Sequence, residues 1–178
     1  MENVTILGMG YVGLTLAVVM AEKEFLVNGV DTNKEIVNNL NNYKPHFYEK
    51  KLSNLLKRHL NNNLFIREEI QKHNQDVYIV AVGTPVEKNS RKPILNYIKN
   101  SLEEIVRHLD QWYYNPLVII RSTVPIGATR NIFKPILDKS NKKYNLAFCP
   151  ERTAEGDAIN ELKVLPQIIG GIDDESVE

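Results

Sequence analysis

Val4-Thr5-Ile6-Leu7-Gly8-Met9-Gly10-Tyr11-Val12-Gly13 joins a run of apolar and β-branched residues to a Gly-x-Gly-x-x-Gly turn, and residues 12–22 continue it with apolar side chains on most faces of a helix. A strand, a tight turn and a helix in that order give the triplet its meaning. Gly8 permits the turn, Gly10 leaves no Cβ in the way of an approaching pyrophosphate, and Gly13 lets the helix lie close to the strand. The free N–H groups of the first helical turn then face the phosphates. Asp31 lies 21 residues beyond Gly10, at the end of a second apolar run over residues 26–30. A carboxylate at that spacing accepts hydrogen bonds from an adenosine ribose. It also favours NAD over NADP, because a 2′-phosphate about 4 Å away would be repelled by roughly 4 kcal/mol at an effective dielectric of about 20. Lys34 offsets part of that repulsion. The competing reading of these residues is glycines that end a strand and an Asp that caps a helix.

Outward from this unit, short β-branched runs alternate with longer segments of helical period. That is the pattern of an α/β fold of Rossmann type, a doubly wound, mostly parallel sheet with helices on both faces. Residues 34–41 read as helix, 43–49 as an aromatic-rich loop, 52–60 as helix and 64–66 as a short strand. The continuous apolar runs 77–82 and 117–120 suit buried parallel strands. Between them, Gly83-Thr84-Pro85 leads into a polar loop to Pro93 and a helix over 95–109. A helix at 127–137, a strand at 144–148, a helical turn at 158–162 and a last strand at Ile168-Ile169 complete the reading. There is no internal repeat or low-complexity tract, so residues 1–178 read as a single domain.

Composition removes several classes of function. Twenty-two basic and 22 acidic side chains cancel, which gives no electrostatic reason for a nucleic-acid or anionic-membrane partner. One cysteine forms no internal disulfide, and no Cys/His set has metal-ligand spacing, so neither a stapled secreted scaffold nor a metal site is expected. The start of the chain lacks the marks of a signal peptide, and no apolar run is long enough to span a bilayer. A cytoplasmic location is the expectation.

Ligands of open α/β sheets bind beyond the C-terminal ends of the strands. Those ends are small or polar here: Gly8, Asp31, Gly83-Thr84-Pro85, Ser122-Thr123 and Cys149-Pro150-Glu151. Thr84 and Thr123 either offer hydroxyls to a cofactor or substrate or simply terminate strands, while Pro85 and Pro125 fix the strand exits. Partial burial is expected to raise the pKa of Glu151, making it a general base or a binder of a sugar hydroxyl; the plainer alternative is a surface acid. Glu155 lies one turn further on if this segment is helical. Cys149 closes an apolar strand and reads as a small buried hydrophobe rather than a nucleophile. His46, His59, His73 and His108 read as solvated.

Four motifs then occur in a recognisable order: Gly-Met-Gly-Tyr-Val-Gly-Leu from Gly8, Val82-Gly83-Thr84-Pro85, Ser122-Thr123-Val124-Pro125-Ile126-Gly127 and Pro150-Glu151-Arg152. Together they resemble the N-terminal NAD-binding domain of the UDP-glucose/GDP-mannose dehydrogenase family, over essentially the whole chain. Residues 150–156 and 165–171 are most similar to the branch acting on UDP-N-acetylmannosamine or UDP-N-acetylglucosamine. The resemblance implies a cytosolic enzyme of polysaccharide biosynthesis that oxidises the C6 alcohol of a UDP-sugar to a carboxylate. Two hydrides pass to two NAD, through a cysteine-bound intermediate. By position, Asp31 would bind the adenosine ribose, and Tyr11, Val12, Thr84, Ser122 and Thr123 would line the cofactor. Thr123 and Glu151 would position and activate water. Glu151, Arg152, Thr153, Ala154 and Glu155 would touch the nucleotide sugar, Glu155 also lying near the nicotinamide.

The family's catalytic Cys belongs to a Gly-x-Cys-Phe-Pro-Lys-Asp stretch of a later domain, and its Lys and Asn partners to a central helix through which the enzymes form homodimers. None of these occurs in this sequence, so Cys149 is not their equivalent. The chain is expected to hold NAD without turning substrate over. Tyr43 stands where the family usually has Gly, Lys50-Lys51 where it has Pro-Gly, and Ile36 where relatives often carry a basic residue near the adenosine. Other readings are a UDP-glucose 6-dehydrogenase fragment and a non-catalytic NAD-binding regulatory module. A β-hydroxyacid dehydrogenase relative is a further one, but it would not need the Ser-Thr-Val-Pro and Pro-Glu-Arg pair.

Overall fold

The computed structural model describes residues 2–72, 75–109 and 115–177. Its strands β1 (Asn3–Leu7), β2 (Leu26–Val30), β3 (Leu64–Arg67), β4 (Val77–Val80), β5 (Leu117–Ile120), β6 (Asn145–Phe148) and β7 (Gly170–Gly171) form one sheet in the order β3-β2-β1-β4-β5-β6-β7. The first six are parallel and β7 runs antiparallel to β6. Chain order reverses between β1 and β4, the position at which doubly wound sheets open a crevice. The expected fold class is therefore present, including the seven-strand count.

Helices α1 (Tyr11–Glu22), α2 (Lys34–Asn41), α3 (Leu52–His59), α4 (Asn96–Leu109), α5 (Lys134–Leu137) and α6 (Ala158–Val164) cover the sheet. One apolar cluster joins Val4 and Ile6 of β1 to Leu14 and Val18 of α1, Leu40 of α2 and Leu56 of α3. A second joins Tyr78 and Val80 of β4 to Val118 of β5, Ile98 and Leu102 of α4, and Phe133. The near-uniform apolarity of α1 follows from its place between the sheet and neighbouring helices: Leu14, Ala17 and Val18 are wholly buried. Among the described residues no helix is long and apolar enough to cross a membrane.

Three of the boundaries that differ from the sequence reading have a physical reason in the structure. The fourth strand ends at Val80, not Val82, because the Val80 carbonyl accepts the N–H groups of Arg121 and Ser122 (2.9 and 3.1 Å) and the Val82 carbonyl accepts the Ser122 hydroxyl (2.7 Å). The helix expected over 127–137 begins as a π-helical turn, Thr129–Phe133, before α5. Pro135 has no N–H to continue the regular register across that junction. The last strand is Gly170–Gly171; Ile168 and Ile169, expected in it, are exposed. A Cβ on Gly171 would fall 2.5 Å from Val177 and 2.8 Å from the Asp173 carbonyl, so the chain's closing turn packs where only glycine fits.

Two of the family departures acquire a physical meaning. Tyr43 and Lys51 both take positive φ, 60° and 71°, at the two positions where the family pattern has glycine. At the end of α2 the Lys44 N–H bonds the Asn39 carbonyl and the Tyr43 N–H bonds the Leu40 carbonyl, both 2.9 Å, the Schellman arrangement with Tyr43 at its left-handed position. A non-glycine residue there is strained by about 1 kcal/mol. Tyr43→Gly is therefore expected to raise the unfolding free energy by about that amount in urea titration, with no gain for Gly at the right-handed neighbour Asn42.

The histidine reading holds in part. His46 is exposed, with its ring edge-on to Phe47 at 4.9 Å. His108 is half-buried with Nδ1 3.0 Å from the Glu104 carbonyl. His59 is not solvated: it is buried at the end of α3, its Nδ1 2.9 Å from Asn63 Oδ1, because the Asn61-Asn62-Asn63 turn folds back over it. His73 lies outside the described residues.

Candidate functional site

A cleft of about 460 Å³ opens beyond the ends of β1, β2 and β4, lined by Gly8, Gly10, Asp31, Ile36 and Gly83 and closed on one side by α4 through Asn100 and Ser101. The three glycines differ in what a side chain would meet. Gly8 has φ +96°, and a Cβ there would lie 2.9 Å from Ala81 and Val82 main-chain atoms, so the turn presses on the exit of β4. A Cβ on Gly13 would lie 1.8 Å from the Gly8 carbonyl oxygen. A Cβ on Gly10 would meet nothing within 4 Å among the described residues. Two glycines thus close the turn, and the third leaves a bare backbone on the cleft.

Gly10 caps α1 without a side-chain hydrogen bond, and no acidic residue stands in the first helical turn. The leading N–H groups of α1 therefore present positive potential with no carboxylate to consume it, which fits a diphosphate. Asp31 stands across the turn. One of its oxygens accepts the Met9 N–H at 2.8 Å and the other the Asn33 N–H at 2.9 Å. The carboxylate thus fixes the glycine turn to the tip of β2, and each oxygen retains a lone pair for a hydroxyl. Lys34, weighed above against the NAD preference, instead pairs with Glu68 at 3.4 Å on the exposed surface.

Thr84, Ser122 and Thr123 sit at the exits of β4 and β5, further along the same edge of the sheet. Thr123 is exposed and Thr84 half-exposed. Ser122 is buried, and its hydroxyl donates to the Val82 carbonyl, so its first role is to splice the two strand exits. Val12, in the first turn of α1, is half-buried.

Glu151 carries the main correction. Its Oε2 accepts from Arg121 Nη2 at 2.8 Å and Nε at 3.2 Å, and its Oε1 accepts the N–H groups of Arg152 (2.7 Å) and Thr153 (2.8 Å). Burial pushes the carboxyl up, but the Thr153 N–H, the Arg121 guanidinium and the Arg152 N–H outweigh it and hold the pKa below the usual carboxylate value. The expected rise is overturned: Glu151 is an ionised, fully engaged acceptor. Arg121 is the residue that sequence reasoning passed over. Its side chain is 5% exposed, and its Nη1 also reaches the Cys149 sulfur (3.3 Å) and Gln167 Oε1 (3.2 Å). The available signal was a cation directly after the all-apolar β5. Cys149 is buried as expected.

The segment after Glu151 folds over the start of α1. Arg152 is exposed and bonds the Pro166 carbonyl at 3.1 Å; the Ala154 N–H donates to Glu161 at 2.6 Å. Glu155 and Gly156 are exposed, and residues 153–157 are not yet helical, since α6 begins at Ala158. The Glu155 placement one helical turn beyond Glu151 is therefore replaced by a loop with a turn at 155–157. Among the described residues no group of three His, Cys, Asp or Glu side chains could hold a metal ion.

Comparison with known proteins agrees with this geometry. Residues 2–178 match the model of the UDP-glucose/GDP-mannose dehydrogenase family, NAD binding domain. The UDP-N-acetyl-D-mannosamine dehydrogenase of Methanocaldococcus jannaschii is 34% identical over 180 residues, a match covering 99% of this chain and 40% of that protein. The structure of a GDP-mannose dehydrogenase ternary complex from Pseudomonas aeruginosa superposes with TM-score 0.91 at 28% identity, over 98% of this chain and 42% of that one. The UDP-N-acetyl-mannosamine dehydrogenase of Staphylococcus aureus gives TM-score 0.89 at 25% identity, over 99% and 43%. The chain thus spans about 40% of the length of the curated relatives it matches. A glycine turn with one bare amide face, an acid on the next strand tip and a family match over nearly the whole sequence lead to one assignment: the chain belongs to the UDP-glucose/GDP-mannose dehydrogenase family, as its NAD-binding domain.

Proposed function

We propose that this domain serves a nucleotide-sugar 6-dehydrogenase that oxidises the C6 alcohol of a UDP-N-acetylhexosamine, UDP-N-acetylmannosamine foremost, to a carboxylate. The observation that carries the reading is the open backbone at Gly10 facing a helix N-terminus, with the Asp31 carboxylate on the adjacent strand tip. The substrate branch is supported by the mannosamine dehydrogenase relative at 34% identity. In the whole protein, which we take to be cytoplasmic and homodimeric, residues 1–178 act as one cofactor domain. The balanced charge supports a small-molecule substrate over nucleic acid or membrane.

The bound dinucleotide supplies a hydride acceptor for each of the two oxidations. The residues of this chain bind and orient. The first N–H groups of α1 neutralise the diphosphate, and the free lone pairs of Asp31 receive ribose hydroxyls. Thr84 and Thr123 offer hydroxyls along the strand exits. Glu151, kept ionised by Arg121 and occupied by the Arg152 and Thr153 N–H groups, fixes the start of the loop that faces the sugar, and its depressed pKa makes it a weak base. The loop of residues 152–155 then faces the sugar.

Asp31→Asn tests the ribose assignment. With the charge gone, calorimetric titration should show the preference for NAD over NADP narrowed by at least about tenfold, a fraction of the roughly 4 kcal/mol repulsion expected at 4 Å. An unchanged ratio would remove Asp31 from the ribose site.

A further inference from the structure

Tyr11 stands between Gly10 and Gly13, yet its side chain leaves the cleft. Its ring packs against Phe47 with centroids 5.0 Å apart, and its hydroxyl donates to Glu49 Oε2 at 2.5 Å, with the Ala154 carbonyl at 3.3 Å. The Gly156 N–H reaches the same Glu49 oxygen at 2.8 Å and the Tyr11 oxygen at 3.1 Å. Gly156 has φ +97°, a left-handed turn that aims this N–H inward. Three segments distant in sequence therefore meet on one carboxylate oxygen: the start of α1, the loop before α3 and the loop before α6.

Glu49 is 4% exposed, and its other oxygen, Oε1, is buried with no hydrogen-bond partner among the described residues. A buried carboxylate that is one partner short is costly, and an apolar residue of similar size would fill the space with less penalty. A positional role explains its presence better than stability does. The Tyr11 phenol is pushed up to about 12, chiefly by burial and then by the hydrogen bond to Glu49, so it remains a donor across the physiological range. Lys51 ties the loop before α3 to α6 itself through a 2.6 Å bond to Asn160.

We infer that Tyr11 and Glu49 are positioning residues that latch the loop of residues 153–157 to the first turn of α1, so that filling the dinucleotide cleft tightens the segment facing the nucleotide sugar. This rests on the cofactor reading above. Tyr11 belongs to the turn whose main-chain N–H groups receive the diphosphate, and its side chain belongs to the latch. Order imposed on one is passed to the other, with Glu49 as the shared contact.

Amide exchange of the ¹⁵N-labelled chain, with and without NAD, tests this. In the wild type, NAD should slow exchange at Gly156 at least about fivefold, although Gly156 is not among the residues lining the cleft. In Tyr11→Phe, which keeps the ring on Phe47, and in Glu49→Gln, Gly156 should exchange fast whether or not NAD is present, while the β1 amides stay protected. A purely structural role would raise exchange equally in both states and leave the NAD effect intact. If the Gly10 and Gly13 amides respond to NAD but wild-type Gly156 does not, or if the variants keep the NAD effect, the latch is overturned and the cofactor reading stands. Silence at Gly10 and Gly13 as well would overturn the cofactor reading and the coupling with it. The wild-type comparison decides the question even if a variant fails to fold.

Discussion

Gly13→Ala is expected to lower the unfolding free energy by about 3 kcal/mol, at the upper end of what overpacking costs. The added Cβ would lie 1.8 Å from the Gly8 carbonyl oxygen and 3.0 Å from its carbon. Both neighbours are backbone, so no side chain can swing aside. The relief available is for α1 to retreat from β1, which opens the cluster around Leu14, Ala17 and Val18, all fully buried. For a domain of this size the loss corresponds to a fall in Tm of roughly 10 °C. Urea titration of the two proteins checks it; a difference below about 0.5 kcal/mol would mean the helix does not depend on that contact.

The second large effect concerns the Arg121–Glu151 pair. Arg121→Met removes the cation and leaves an ionised carboxylate 12% exposed with main-chain donors alone, at a cost of about 3 kcal/mol near neutral pH. In the wild type the Glu151 pKa is depressed, so its contribution is present above the unfolded value and is lost as pH falls through the folded one. Without Arg121, burial is opposed by the Thr153 and Arg152 N–H groups alone and the folded pKa rises. Protonation then relieves the buried charge in the variant before it harms the wild type. The stability gap between the two proteins should therefore shrink as pH falls through the carboxylate range. Urea titrations at neutral pH and at about pH 4.5 measure it. A gap that is absent at neutral pH, or that stays constant on acidification, would remove Arg121 as the group holding Glu151 ionised.

What the sequence disclosed and what it hid divide along sequence separation. The glycine turn and Asp31 were legible because a local spacing carries the chemistry, and the structure adds that Asp31 also clamps the Met9 N–H. Residues 81 and 82 look like strand by composition, but beyond the Ala81 N–H, which still bonds the Leu7 carbonyl, the Val82 carbonyl turns to the hydroxyl of Ser122, 40 residues away. The sign of the Glu151 shift was misread for the same reason: burial could be anticipated from the residue's place at a strand end, whereas Arg121 comes from the neighbouring strand, 30 residues earlier. Nothing in the aromatic-rich loop of residues 43–49 singles out Glu49; only folding brings Tyr11 and Gly156 to it. Tyr43 and Lys51 show the converse. A departure from a family glycine pattern left the left-handed backbone in place and substituted side chains that tolerate it at a cost.

The central claim is that Gly10 offers a bare backbone to a dinucleotide while Gly8 and Gly13 serve the fold, and a single substitution separates the two roles. Gly10 has φ −69°, which alanine adopts without strain, and a Cβ there meets nothing within 4 Å among the described residues. Gly10→Ala should therefore melt close to the wild type. The decisive measurement is calorimetric titration of NAD into both proteins: saturable heat from the wild type, with the variant binding at least about tenfold more weakly, is the predicted result. No heat from the wild type at millimolar NAD, or equal affinity in the two proteins, would contradict it.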